Sequence, residues 1–326
     1  MDKKRSTSTA SSAITVPSEI GAEAVLSGQN VRARSTWWPS SRVSPVDVLI
    51  GLTILFYIVV LVDPGLIAPG SPTAIAGVPL APPSLANWAG TDQLGRSVFD
   101  RLVWGARPVL LASAAGMCIS MAIGVTLGVI GAMGGRVISV VAMRVLDILL
   151  ALPILLIALM VIAILGPGIQ SVVIALGVAF IPAFARVVYS SVRTLRRADY
   201  VSASRAMGAT LPYIMVRHLI PNLATEVLVI ASSAIGWAIL TATTLSFLGF
   251  GVKLPSPDWG IDLAGGEPYL STAWWISTFP GLAITATILF SNFLGDYLAR
   301  RLDPQGQVRA IGTVGDPGVA ARAIEE

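Results

Sequence analysis

Six apolar stretches alternate with polar ones along the chain, near residues 47–62, 108–133, 138–165, 171–188, 223–248 and 279–295. Most approach the roughly 20 residues that an α-helix needs to cross a bilayer core. The first and last are short by that count, so tilt or flanking residues must make up the difference. The pattern predicts an all-α membrane protein of six transmembrane helices within a domain at 44–304, its core helices at 108–298. The polar segments are unequal. The loop at 63–106 is first rich in Pro and Gly, then amphipathic from Ser97 to Trp104. The loop at 249–277 carries Pro255, Pro257, Trp259, Trp274 and Trp275, read either as an interfacial aromatic belt or as an outer vestibule. Residues 1–43, rich in Ser, Thr and Ala without periodicity, read as a disordered tail, and 305–326 as a flexible one. Lys3, Lys4 and Arg5 start like a signal peptide, but no continuous apolar core follows, so cleavage is not expected.

Composition agrees with a membrane class. Of 326 residues, 54% are hydrophobic and 12% charged, with mean hydropathy +0.77, against about 25% charge in soluble domains. The net charge of +4 is better read by location than as a sign of nucleic-acid binding. If the N-terminus is inside, the outer loops keep only Arg96, Arg101, Arg107 and Lys253 of the 22 basic residues. That asymmetry predicts both termini in the cytoplasm. The single cysteine, Cys118, falls in an apolar stretch and reads as a small buried residue; one cysteine excludes a disulfide framework within the chain.

Catalytic chemistry finds little footing. None of the three lysines follows a glycine, so no phosphate-binding loop is present. His218 has no His or Cys neighbour that would make it a metal ligand. No Ser/His/Asp, HExxH or paired-carboxylate set is visible. Asp147, Glu226 and Asp296 sit near the ends of their stretches, which weakens a proton-driven carrier. Arg144 and Asp147 are three residues apart, so a helix-end ion pair is geometrically possible. Gly124 and Gly128, extended by Gly131, read as a close-packing face. Pro153 and Pro182 can each kink a helix.

The basic loop at 190–222 is the most informative segment. Asp199 can cap a short helix and Gly208 can end it in the left-handed conformation. Tyr200, Ala203, Ser204 and Met207 share one helical face, small and mostly apolar, suited to a groove in another protein. Ala203, Gly208 and Pro221 resemble the EAA loop of ABC-importer permeases, E-A-A-x3-G-x9-I-x-L-P. Ser202 stands in place of its Glu, Ser204 of its second Ala, His218 of its Ile and Ile220 of its Leu.

Other blocks extend the resemblance from about residue 46 to 304. GTDQLGRSVFDRLVWGAR, holding Gly90, Thr91, Asp92, Gly95 and Arg96, is similar to the G-T-D-x-x-G-R-D segment of C-type dipeptide and oligopeptide permeases, with Ser97 where Asp is favoured. Met143, Arg144, Asp147, Ala151 and Pro153 resemble the family's M-R-x-x-D-x3-A-x-P. SFLGFGVKLPSPDWG (with Pro257, Asp258 and Trp259), FPGLAI and LGDYLARRLDP follow in order.

The resemblance implies an ABC-importer permease (MetI-like) fold in the bacterial inner membrane and a cargo of dipeptides or oligopeptides. It further implies no cofactor on this chain, ATP and Mg being bound by partners. The implied partners are a second, B-type permease, two ATPase subunits docking on Asp199, Tyr200, Ser202, Ala203, Ser204, Arg205, Met207, Gly208 and Pro221, and an extracytoplasmic binding protein on the side of Gly90 and Trp259. Membrane lipid surrounds the chain, and no nucleic acid is implied. Alternatives are the same architecture with nickel, glutathione or sugar as cargo, or a self-sufficient secondary carrier or channel.

Overall fold

The apolar stretches fold as helices nearly where the pattern puts them. The computed structural model describes residues 44–302, so both tails assigned above lie outside the described residues. The chain divides into two units, 1–48 and 49–326. Of the first, the described part is the opening turn of helix α1 (Pro45–Val62), where Asp47 Oδ2 accepts from Ser44 N at 3.0 Å. The second holds the rest of α1 and α2 (Val98–Met133), α3 (Arg136–Leu150), α4 (Ile154–Leu165), α5 (Ile169–Ala179), α6 (Ile181–Leu195), α7 (Asp199–Ala206), α8 (Leu211–Ile214), α9 (Ile220–Phe247), α10 (Trp259–Gly266) and α11 (Trp275–Leu302). Among the described residues there is no β-strand, only isolated bridges between Ile75 and Arg96 and between Thr91 and Ser97.

Among the described residues, five spans are long and apolar enough to cross a membrane: Pro45–Val62, Val98–Met133, Ile169–Leu195, Leu223–Phe247 and Trp275–Arg300. The third predicted span differs. Residues 138–165 do not form one helix; α3 and α4 meet at 95°. Pro153 explains the break. It lacks an N–H for the helix ladder, and its ring pushes Leu152 out of the helical region. Pro182 acts more mildly. It falls in the first turn of α6, where the missing N–H has no helical partner to lose, and α5 and α6 continue as one 27-residue span. Before Pro221 the chain widens into a π turn at Met215–Leu219, with Ile220 N–H bonded to Met215 O.

Small residues set the central packing. A Cβ added at Gly124 would lie 2.6 Å from Phe184 Cβ, and one at Gly128 would lie 2.6 Å from Ala185 O. The glycine face of α2 therefore meets the backbone of α6, as expected from its spacing. Ser120 Oγ donates to Gly177 O at 2.6 Å and to Leu176 O at 3.1 Å, tying α2 to α5. Around this seam Phe184, Val188, Leu176, Ile162 and Ala158 are buried. Cys118 lies off it and is exposed on α2, which corrects the expectation of a buried thiol.

Candidate functional site

The 190–222 loop folds as anticipated in outline and differently in detail. α7 runs from Asp199 to Ala206, and Gly208 follows with φ +85°. A Cβ at Gly208 would meet nothing within 4 Å, so its requirement for glycine is conformational alone. Asp199 is the first helical residue rather than the cap; Ala198 O receives the N–H groups of Val201 and Ser202.

The expected docking face is split. Val201 is fully buried and Ser204 nearly so, while Ser202, Ala203, Ala206 and Met207 are exposed, Met207 at 82%. Val201 joins Val192, Ile214, Leu219 and Leu223 in the core, and that anchorage fixes the rotation of α7. Val201 was missed because its apolar partners lie on other helices. The outward face is therefore Ser202, Ala203, Ala206 and Met207. The side chains of Tyr200 and Arg205 lie outside the description, and Pro221 is exposed at the start of α9.

On the other loops, the residues singled out turn inward. Gly90 has φ +75°, and a Cβ there would lie 2.7 Å from both Ala81 O and Trp275 Nε1. Thr91 is fully buried; its Oγ1 donates to Val78 O at 2.6 Å and accepts from Ala81 N at 2.8 Å. Asp92 Oδ1 accepts from Leu94 N and Arg96 N at 2.8 and 2.9 Å, and its Oδ2 accepts from Arg96 Nε at 2.6 Å. Gly95, with φ +76°, closes this turn. Trp259 Nε1 donates to Leu102 O at 2.7 Å and Trp275 Nε1 to Thr91 O at 3.1 Å.

Gly90, Thr91, Asp92, Gly95, Arg96, Asp258 and Trp259, expected on the binding-protein side, are thus buried, and the Trp275–Thr91 bond ties the two loops together. Pro257 is half-buried. Exposed on the same loops are Trp88, Leu85, Leu94, Leu254 and Trp274.

A residue not singled out joins this structure together. Arg101 is buried, with Nε 3.0 Å from Asp262 Oδ1 and Nη2 bonded to the same oxygen. Its Nη1 donates to Pro72 O and Pro255 O, each at 3.2 Å, and Asp92 Oδ2 lies 3.9 Å from its Nε. Asp262 Oδ2 is buried without a hydrogen-bond partner among the described residues. Burial pushes the Asp262 carboxyl up, against the pull of the Arg101 guanidinium.

Asp258 caps α10 by accepting from Gly260 N at 2.8 Å, and Ser246 Oγ donates to it at 3.2 Å. Burial outweighs these bonds and pushes its carboxyl up from 3.8 to about 6. A raised carboxyl stabilises the fold fully below the unfolded value, and that contribution is lost as pH rises through about 6. Stability is thus expected to fall between pH 4 and 7, with Asp258 contributing about 3 kcal/mol. Asp258→Asn, which keeps a capping oxygen, should flatten that slope. Unfolding temperatures across this range test it, and an unaltered slope in the variant would assign the dependence elsewhere.

The Arg144–Asp147 pair does not form. Asp147 Oδ1 instead contacts Arg186 Nη1 on α6. The neighbouring helix competed successfully for the carboxylate, which a within-helix spacing argument cannot see. Arg144 lines a cavity beside it. No cluster of three or more His, Cys, Asp or Glu able to hold a metal occurs among the described residues.

Residues 124–305 match the model of the binding-protein-dependent transport system inner membrane component. The chain belongs to this family. This permease is a multi-pass protein of the inner membrane, a transport subunit of the ABC type. It is 41% identical to a di/tripeptide transport system permease of Pseudomonas aeruginosa, over 66% of this chain and 71% of that one. It is 40% identical to a glutathione transport system permease of Pectobacterium atrosepticum, over 68% and 74%. Its fold is similar to that of a methionine ABC transporter solved in inward-facing conformations, with a TM-score of 0.53 at 18% identity, covering 62% of this permease and 96% of that chain.

Proposed function

We propose that this permease is the C-type membrane subunit of an importer for dipeptides or oligopeptides, driven by ATP hydrolysis on separate subunits. In this reading both termini and α7 lie in the cytoplasm, where the ATPase pair grips α7. A second, B-type permease completes the path, and a binding protein delivers the peptide to the opposite face. Closure of the ATPases moves α7, and Val201 transmits that motion to the core because it is packed there. The permease forms and breaks no covalent bond, and ATP and Mg are bound by its partners.

The observation that carries the reading is a short helix anchored by Val201, ended by a left-handed Gly208 and exposed along Ser202, Ala203 and Met207. The relatives named for peptides supply the cargo. Reconstituted with those partners, the chain is expected to support ATP-dependent uptake of a labelled dipeptide into vesicles and none when the ATPases are omitted. Uptake that persists without them would identify a self-sufficient carrier. Glutathione is the second reading, favoured by the relative named for it; vesicles that take up glutathione and refuse dipeptides would establish it.

A further inference from the structure

A cavity of about 770 Å³ opens where the end of α2, one face of α3 and the end of α6 come together. Its lining includes five arginines: Arg136, Arg144, Arg193, Arg196 and Arg197. Among the described residues the only carboxylate in that lining is Asp147, and it is engaged by Arg186. Two of the guanidiniums are positioned by neutral groups. Arg196 Nη1 donates to Ala132 O at 2.7 Å, and Arg193 Nη1 donates to Tyr189 Oη at 2.8 Å while lying over that ring. Arg136, Arg144 and Arg197 have no ion-pair partner among the described residues. Five like charges around one open space repel one another, and an anion seated among them would relieve that repulsion.

The surroundings identify the anion. α3 is two-sided: Arg136, Ser139, Met143, Arg144 and Asp147 face the cavity, while Val137, Val141, Val145 and Ile148 form an exposed apolar stripe, each 52–76% exposed. α4 is apolar throughout and leaves α3 at 95°, so α3 runs close to the membrane plane where α4 stands along the bilayer normal. A basic, amphipathic helix in that position places its stripe among acyl chains and its arginines at headgroup level. Basic pockets between helices at a membrane face suit anionic headgroups. A free phosphate would use the arginines and leave the stripe without a role.

We propose that this cavity binds the headgroup of an anionic phospholipid, its phosphodiester held by Arg193, Arg197 and Arg144 and its acyl chains lying along Val137, Val141 and Val145 of α3. The site is independent of the cargo.

The test uses the full chain within its purified complex. Retained lipid is counted by native mass spectrometry after exchange into phosphatidylglycerol or, in parallel, phosphatidylcholine, with sodium pyrophosphate as a free-anion competitor. Wild type is expected to retain phosphatidylglycerol over phosphatidylcholine. Arg193→Gln with Arg197→Gln should lower that retention at least threefold. Arg193→Lys with Arg197→Lys, which preserves charge, should restore most of it, whereas Arg107→Gln, on an exposed arginine outside the cavity, should have no effect. Equal retention by wild type and the glutamine pair would overturn the proposal. So would pyrophosphate binding without lipid selectivity, which would mark a free-phosphate site. Loss of ATPase subunits from the glutamine pair, with lipid retention unchanged, would show that a protein segment fills the cavity and would equally overturn it.

Discussion

Arg101→Met is expected to destabilise the protein by about 3–5 kcal/mol, because it strands the buried Asp262 carboxylate without its counter-charge. Asp262 would lose both of its bonds from the guanidinium, and the carbonyls of Pro72 and Pro255 would lose their donor. The methionine stem fills most of the space, so the loss is electrostatic rather than a cavity effect. A fall of roughly 10 °C in the unfolding temperature of the purified protein is the expected reading. Asp262→Leu added to Arg101→Met should recover part of it, since removing both members of a buried pair leaves no orphan charge. Arg107→Met, on an exposed residue six positions further along α2, should change little. Unfolding of Arg101→Met within a degree or two of wild type would show that the network carries no stability.

Gly208→Val should abolish most transport while leaving the protein inserted. With φ at +85° a β-branched side chain is strained by roughly 1–3 kcal/mol. The space around Gly208 is open, so there is no clash to confuse the result. The strain is relieved by rotating the loop, which displaces the outward face of α7. Asn tolerates the left-handed region, so Gly208→Asn should retain much of the activity. Ala203→Asp, which places a charge on that exposed face without touching the core, should impair uptake as Gly208→Val does. The measurement is uptake of a labelled dipeptide by vesicles holding the whole complex, normalised to permease abundance. Normal uptake by Gly208→Val and Ala203→Asp would mean that α7 is a solvated linker.

Local features were legible in the sequence, and pairings between distant segments were not. The apolar lengths located the spans because a membrane helix must hide its backbone over a fixed thickness. Gly208 could be placed because a short helix needs a stop. Gly124 and Gly128 could be placed because only small residues admit another backbone so closely. By contrast, the rotation of α7 depends on Val201 finding Ile214 and Leu219, and Asp147 chose Arg186 from another helix over Arg144 on its own. Pro153 announced a disturbance, but its 95° size depends on what α3 and α4 each pack against. The outer-loop motif was visible as a motif, yet its residues face inward. Spacing alone does not distinguish a residue that builds a surface from one displayed on it.

The Arg101 network also has a consequence for biosynthesis. Asp262 lies 161 residues further along the chain than the arginine it neutralises. At about 5–20 residues per second, the ribosome needs roughly 8–30 s to make that stretch. Throughout that interval the main counter-ion of Arg101 does not yet exist. In the finished protein Asp92 Oδ2 lies 3.9 Å from Arg101 Nε while bonded to Arg96, so the network is complete only once α10 has been made.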